Sequence, residues 1–153
     1  MPFAAINGQK LFYTDSGGEG KPVLVFSHGL LMDHSMFDPQ VAALKDSYRC
    51  IAWDERGHGQ TATPGTCAPF SYYDSADDLA ALLAHLGVQQ AVLVGMSQGG
   101  YLSLRCALTH PEVVRALVLI DTQAMPEDPA LMPHHMAMVQ RWVQSGMDDG
   151  MAA

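Results

Sequence analysis

The sequence predicts an α/β fold built on a mostly parallel sheet, and three observations support that class. Apolar runs without polar interruption recur at residues 23–26, 50–53, 91–94 and 116–120, as expected of strands covered on both faces. Stretches of helical periodicity with their own start and stop signals separate these runs. The third observation is an opening hairpin: Phe3–Ile6 and residues 11–14 flank Asn7-Gly8, a dipeptide that accepts the positive φ values of a type I′ turn. Regular alternation of strand and helix is the mark of this class.

The helices follow in order. Asp38 is placed to cap one, with Pro39 in its first turn, and Ser75 with Asp78 three residues on reads as a capping box for a second. That second helix aligns Leu79, Leu82, Leu83 and Leu86 on one face and stops at Gly87, which can turn left-handed. Its Asp77-Asp78 pair reads as a solvated first turn favoured by the helix dipole. A third helix runs from Gln98 to about Thr109 and ends before Pro111. Beyond Asp121 the texture changes, with Pro126, Pro129 and Pro133 punctuating a stretch that holds Met125, Met132, Met136, Met138 and Met147. There the spacing of Leu131, His135, Met138, Val139 and Trp142 predicts a helix that begins near Pro133 or kinks at it. The methionines fit either core packing or a flexible lid over an apolar pocket.

Composition narrows the function. The 153 residues carry 8 Lys plus Arg against 16 Asp plus Glu, a net charge of -8, so the basic footprint that nucleic-acid binding needs is missing. No apolar run approaches the roughly 18–20 residues of a membrane helix, and residues 1–10 show no charged-then-apolar signal segment. These features predict a cytoplasmic protein with neither nucleic acid nor membrane as partner. Three cysteines, Cys50, Cys67 and Cys106, never stand as C-x-x-C, which favours reduced thiols over a disulfide framework or a zinc site. The adjacent His134 and His135 point about 100° apart on a helix and so do not suit one metal ion.

Gly95-Met96-Ser97-Gln98-Gly99 is a G-x-S-x-G between an apolar strand and a helix. The bare pattern is short, and its position is what gives it meaning. A strand that turns sharply into a helix bends at one strained residue, and small neighbours two positions away on each side let the flanking backbones approach. The bend lifts Ser97 Oγ clear of the sheet at a helix N-terminus, where positive partial charge favours an oxyanion. Two further loops stand where the same site needs them: Ser27-His28-Gly29-Leu30 after the first buried strand, and Asp54-Glu55-Arg56-Gly57-His58-Gly59 after the second.

In these motifs and their order the sequence resembles the α/β-hydrolase superfamily, specifically its serine esterase, lactonase and cofactor-free perhydrolase branch. The resemblance runs through essentially all 153 residues. It implies the N-terminal portion of that fold, with residues 1–122 as core and 123–153 as the beginning of a helical cap. It further implies Ser97 as nucleophile, the backbone N–H groups of Gln98 and Leu30 as oxyanion donors, and no metal or cofactor. His28 becomes a structural residue of its loop, and Asp54, Arg56 and His58 a network holding theirs. Related dehalogenases and epoxide hydrolases place Asp at the nucleophile position, so Ser97 argues against both.

A triad also needs a base and an acid. In the resembling enzymes these lie on loops after the seventh and eighth strands, and both are expected beyond residue 153, the sequence reading as cut within the cap. Asp121, at the end of the strand after the nucleophile helix, is the acid candidate inside the chain; its other reading is a cap for the strand-to-lid turn. Two functions follow: a serine hydrolase of carboxylic esters or lactones, or a non-catalytic remnant or interaction module of the same fold. The run Val114–Ile120 is expected to lie at an open sheet edge, where self-association through it becomes possible.

Overall fold

The computed structural model describes residues 3–61, 69–125 and 128–144. Six strands, β1 (Phe3–Ile6), β2 (Gln9–Asp15), β3 (Val23–Ser27), β4 (Arg49–Trp53), β5 (Ala91–Met96) and β6 (Val114–Ile120), form one sheet in the order β1-β2-β4-β3-β5-β6. β1 and β2 pair antiparallel, β2 joins β4 antiparallel, and β4, β3, β5 and β6 run parallel. Asn7 and Gly8 make the first turn with φ of 47° and 76°, the positive pair that a type I′ turn requires.

Four α-helices connect and flank the strands: α1 (Asp38–Leu44), α2 (Tyr72–His85), α3 (Gln98–Thr109) and α4 (Met132–Gln144). Alternation along the strands divides the core in two. Leu11, Val25, Ile51, Trp53 and Leu93 face Ala76, Leu79, Leu82 and Leu83 of α2 and Leu102 and Cys106 of α3. On the opposite face Leu24, Phe26, Cys50, Ala52 and Val94 pack with Phe37 and with Val41 and Leu44 of α1. Each fully buried leucine contributes about 1.5–3 kcal/mol. The apolar runs of β3, β4 and β5 are therefore strands with a helix layer on each side, whereas β6, expected from its apolar run to be covered in the same way, has no buried residue.

Two helix starts differ from expectation. The capping box of α2 is Ser71 with Asp74, not Ser75 with Asp78: Asp74 N–H donates to Ser71 Oγ at 3.4 Å and Ser71 N–H donates to Asp74 Oδ2 at 2.7 Å. Ser75 and Asp78 lie a turn further on and are wholly buried, so Asp78 is no solvated residue. At α1 Asp38 is already helical, with φ -52° and ψ -42°, because a 3-10 turn over His34–Phe37 runs directly into the helix. The cap has moved upstream to Asp33, whose carboxylate accepts from Ser35 N–H at 2.8 Å. α4 begins at Met132 with Pro133 in its first turn, and His135, Met138 and Val139 are its half-buried positions. Cys67, Pro126 and Met147 lie outside the described residues, as does the side chain of Trp142.

Candidate active site

β5 and α3 meet at Ser97, where the chain turns within a single residue. Ser97 has φ 49° and ψ -111°, a conformation that costs an L-residue about 1–3 kcal/mol. The surrounding backbone holds it there. Ser97 N–H donates to the Ile120 carbonyl at 2.9 Å, while the Ser97 carbonyl accepts from Thr122 Oγ1 at 2.9 Å and from Tyr101 N–H at 3.1 Å. Close approach explains the neighbouring glycines: a Cβ on Gly95 would meet the Gly99 carbonyl, and one on Gly99 would meet the carbonyl of Ser27 and lie 2.7 Å from that of His28. Gly100 likewise faces the Thr122 side chain. Ser97 itself is half-buried.

The loop after β3 emerges beside this elbow because β3 and β5 are parallel neighbours, with Ser27 paired to Gly95. Gly29 rests on Met96, with a Cβ there falling 2.8 Å from the Met96 sulfur. The backbone then folds into a tight turn in which Met32 N–H donates to the Gly29 carbonyl at 3.1 Å and Leu31 takes φ 62°. Leu30 is 47% exposed, so its side chain is free to face a ligand while its amide stays within the turn.

His28, only 1% exposed, is fixed through both ring nitrogens. Its Nε2 accepts from Glu55 N–H at 3.1 Å, which leaves Nδ1–H to donate to the Gly29 carbonyl at 2.8 Å. Burial holds its pKa below the usual histidine value, with the His58 charge acting in the same direction, so the ring is neutral at pH 7 and structural. In the loop after β4, Asp54 is fully buried and accepts from His34 N–H and Nδ1–H, both at 2.7 Å, and from Gln60 N–H at 2.7 Å. Arg56 grips Asp78 with Nε and Nη2, each at 2.7 Å, and His58 donates to the Arg56 carbonyl at 3.1 Å while lying against the His28 ring. The network expected of Asp54, Arg56 and His58 is present, extended by His34, Asp78 and Gln60.

Glu55 was not among the residues singled out in the sequence, yet it occupies the centre. It is 1% exposed, and Gln98 Nε2 donates to its Oε2. Burial raises its pKa above the ordinary 4.5, with Asp78 adding to the rise, against opposing effects of Ser75, Gln98 and His58. Ser75 Oγ and Glu55 Oε1 are the buried side-chain polar atoms without a hydrogen-bond partner among the described residues. The signal available was alternation: Ile51 and Trp53 point toward α2, and Glu55 continues that parity.

Asp121 follows β6 with φ 46° and an exposed side chain. It is Thr122, one residue later, that touches the elbow. Asp33, His34 and Asp54 bring three potential ligand atoms within 4.8 Å of one another, but hydrogen bonds to one another and to Ser35 and Gln60 already engage these groups. Cys50 and Cys106 are buried free thiols, and burial pushes Cys106 up to about 12, consistent with packing and not with reactivity. Among the described residues no helix is long and apolar enough to cross a membrane.

A mostly parallel sheet entered by an antiparallel hairpin, with a strained serine between β5 and a helix, defines an architecture that comparison with known proteins identifies. The family model for the alpha/beta hydrolase fold matches residues 22–153, and the chain belongs to that family. It is 35% identical over 114 residues to 3-oxoadipate enol-lactonase 2 of Acinetobacter baylyi, covering 74% of this chain and 42% of that enzyme. With 2-(acetamidomethylene)succinate hydrolase of Mesorhizobium japonicum the identity is 37% over 110 residues, covering 72% and 39%. Among solved structures, the enol-lactonase of Burkholderia xenovorans LB400 superposes with a TM-score of 0.84 at 29% identity, covering 99% of this chain and 58% of that one. The chain spans less than half the length of these two curated relatives.

Proposed function

We propose that this chain carries the nucleophile and oxyanion parts of a serine hydrolase acting on a carboxylic ester or lactone. The observation that carries the reading is the strained Ser97, held by β6 at the N-terminus of α3. Ser97 Oγ attacks the substrate carbonyl carbon, and the N–H groups of Gln98 and Leu30 donate to the oxygen on which negative charge develops. Collapse of the tetrahedral adduct breaks the ester C–O bond, the serine proton going to the leaving alcohol or, in a lactone, to the ring-opened hydroxyl, and water then hydrolyses the acyl-Ser97 to the carboxylic acid and free serine. Asp121 is the acid candidate within the chain, and its left-handed turn also suits the second role of shaping the exit from β6. Residues 1–122 form the catalytic core in this reading and 123–153 the start of a cap over the substrate. The similarity to enol-lactonases supports a lactone among its substrates.

His28 is unsuited to act as base because both its ring nitrogens are engaged. The oxyanion hole and substrate binding alone leave about 10³–10⁴-fold acceleration over water. We therefore expect the 153-residue chain to be acylated slowly and about once per molecule by p-nitrophenyl acetate. Mass spectrometry should place the acetyl group on Ser97, and Ser97→Ala should abolish it. Equal release of nitrophenol by wild type and Ser97→Ala would instead favour the non-catalytic module.

A further inference from the structure

Both proposed oxyanion donors are tied to a single buried residue. Glu55 N–H donates to His28 Nε2 at 3.1 Å, and the same histidine donates to the Gly29 carbonyl, so the Glu55 backbone braces the turn that presents the Leu30 amide. The Glu55 side chain accepts from Gln98 Nε2, and Gln98 is the first residue of α3 and only 5% exposed. Its side chain therefore runs inward, away from substrate, and its rotamer is fixed by that bond. From this geometry we infer that Glu55 is a positioning residue for the oxyanion hole, setting the Gln98 amide through its carboxyl and the Leu30 amide through its backbone contact with His28. The inference rests on the reading of Ser97, Gln98 and Leu30 given above.

The chemistry of the position favours this role over simple core filling. A buried carboxyl is costly unless its hydrogen bonds are met, and an apolar side chain of similar size would avoid the cost. What a leucine could not do is hold Gln98. The carboxyl holds Gln98 and the backbone N–H holds His28, so a shift of the whole residue moves both donors together. Misplacing a catalytic group by about 1 Å costs on the order of 100-fold in rate. Glutamine can serve in part: its carbonyl accepts from Gln98 Nε2, and its NH₂ takes the place of Glu55 Oε1.

The test compares Glu55→Leu, Glu55→Gln and Gln98→Leu in acylation of Ser97 by p-nitrophenyl acetate. Glu55→Leu should lower the acylation rate constant about 10- to 100-fold with little change in the ester concentration giving half-maximal rate. Glu55→Gln should recover most of that loss. Gln98→Leu, which breaks the same bond from the other side, should lower the rate comparably, and the double variant should lose little more. Gln98→Leu also keeps the test alive if Glu55→Leu does not fold. Hydrogen exchange read by mass spectrometry provides a measure independent of activity: peptides covering residues 97–101 should exchange faster in Glu55→Leu and slow again in Glu55→Gln, while residues 28–32, braced by the Glu55 backbone that every variant keeps, should exchange as in wild type. Acylation of Glu55→Leu at the wild-type rate, or unchanged exchange of residues 97–101, overturns the inference. A wild-type chain that is never acylated sinks the hydrolase reading instead, and the exchange data then decide the positioning of residues 97–101 alone.

Discussion

At Asp78 one buried side chain links three elements. Its carboxylate, wholly buried, takes two hydrogen bonds from Arg56 and one from Asn7 Nδ2 at 2.9 Å, joining α2 to the β4 loop and to the first hairpin turn. Removing one partner of a buried ion pair costs about 3–5 kcal/mol, so Asp78→Ala should lower the urea midpoint by that much stability, whereas exposed Asp77→Ala should change it by about 1 kcal/mol or less. The sequence could not separate these neighbours, since adjacent aspartates look alike until the partners, 22 and 71 residues away, are in place. His28 and Glu55 form a second residue-scale device, two buried titratable residues joined by the Glu55 N–H bond to His28 Nε2. The His28 pKa is lowered, so its contribution is present above the unfolded value and lost as pH falls through the folded one. The Glu55 pKa is raised, so its contribution is full below 4.5 and lost as pH rises through the folded value. Thermal melts across pH should show wild type losing stability relative to Glu55→Gln on the alkaline side, with the acid side alike in both; parallel profiles throughout would contradict the raised Glu55 pKa.

The strand-turn-helix element around Ser97 was the most legible part of the chain because its requirements are local. Glycine at 95 answers a backbone contact one turn away, at Gly99, and both the elbow and the helix end at Thr109 follow from sequence alone, whereas Gly99 answers the distant carbonyls of Ser27 and His28. Helix starts were less legible: Ser71-Asp74 and Ser75-Asp78 offer similar boxes, and the choice fell to burial, which places the second pair against Arg56 and Glu55. Glycine contacts also predict unequal sensitivity. Gly99→Ala sets a Cβ against two carbonyl groups that belong to β3 and its loop, and neither can move without opening the sheet. Gly8, by contrast, has open space around it and only a positive φ to lose. Gly8→Ala should cost about 1–2 kcal/mol, and Gly99→Ala should cost more and also abolish labelling of Ser97; equal melting losses for the two would refute the packing argument.

On the scale of the whole sheet, β6 is its outermost strand among the described residues and pairs with β5 on one side. Val118, Leu119 and Ile120 are each more than 40% exposed, and no charge or proline interrupts residues 116–120. An open, apolar edge of this kind templates pairing between chains. We propose that the 153-residue chain self-associates through it. Light scattering at micromolar concentration should report species larger than a monomer, and Leu119→Lys should shift them toward the monomer; a monodisperse wild-type monomer would remove the proposal. The edge position was legible only through the family's strand order, because Val114–Ile120 reads by itself as a strand buried on both faces.

The strand order β1-β2-β4-β3-β5-β6 also sets when the fold can close as the chain leaves the ribosome. The first hairpin assembles from local contacts, but β3, whose Val25 has zero exposure, lies between β4 and β5 and pairs Leu24 with Val92. Both edges of the most apolar strand thus stay open until β4 is made, and one stays open until β5 is complete. Ser97 follows directly, so its strained geometry cannot be imposed until β6, which supplies the Ile120 carbonyl, has been synthesised as well. Long-range parallel pairing is intrinsically slow to form and exposed to aggregation meanwhile. The strained turn at Ser97 is therefore among the last features of the sheet to be set, and a nascent chain that stalls before residue 120 carries the serine without its elbow.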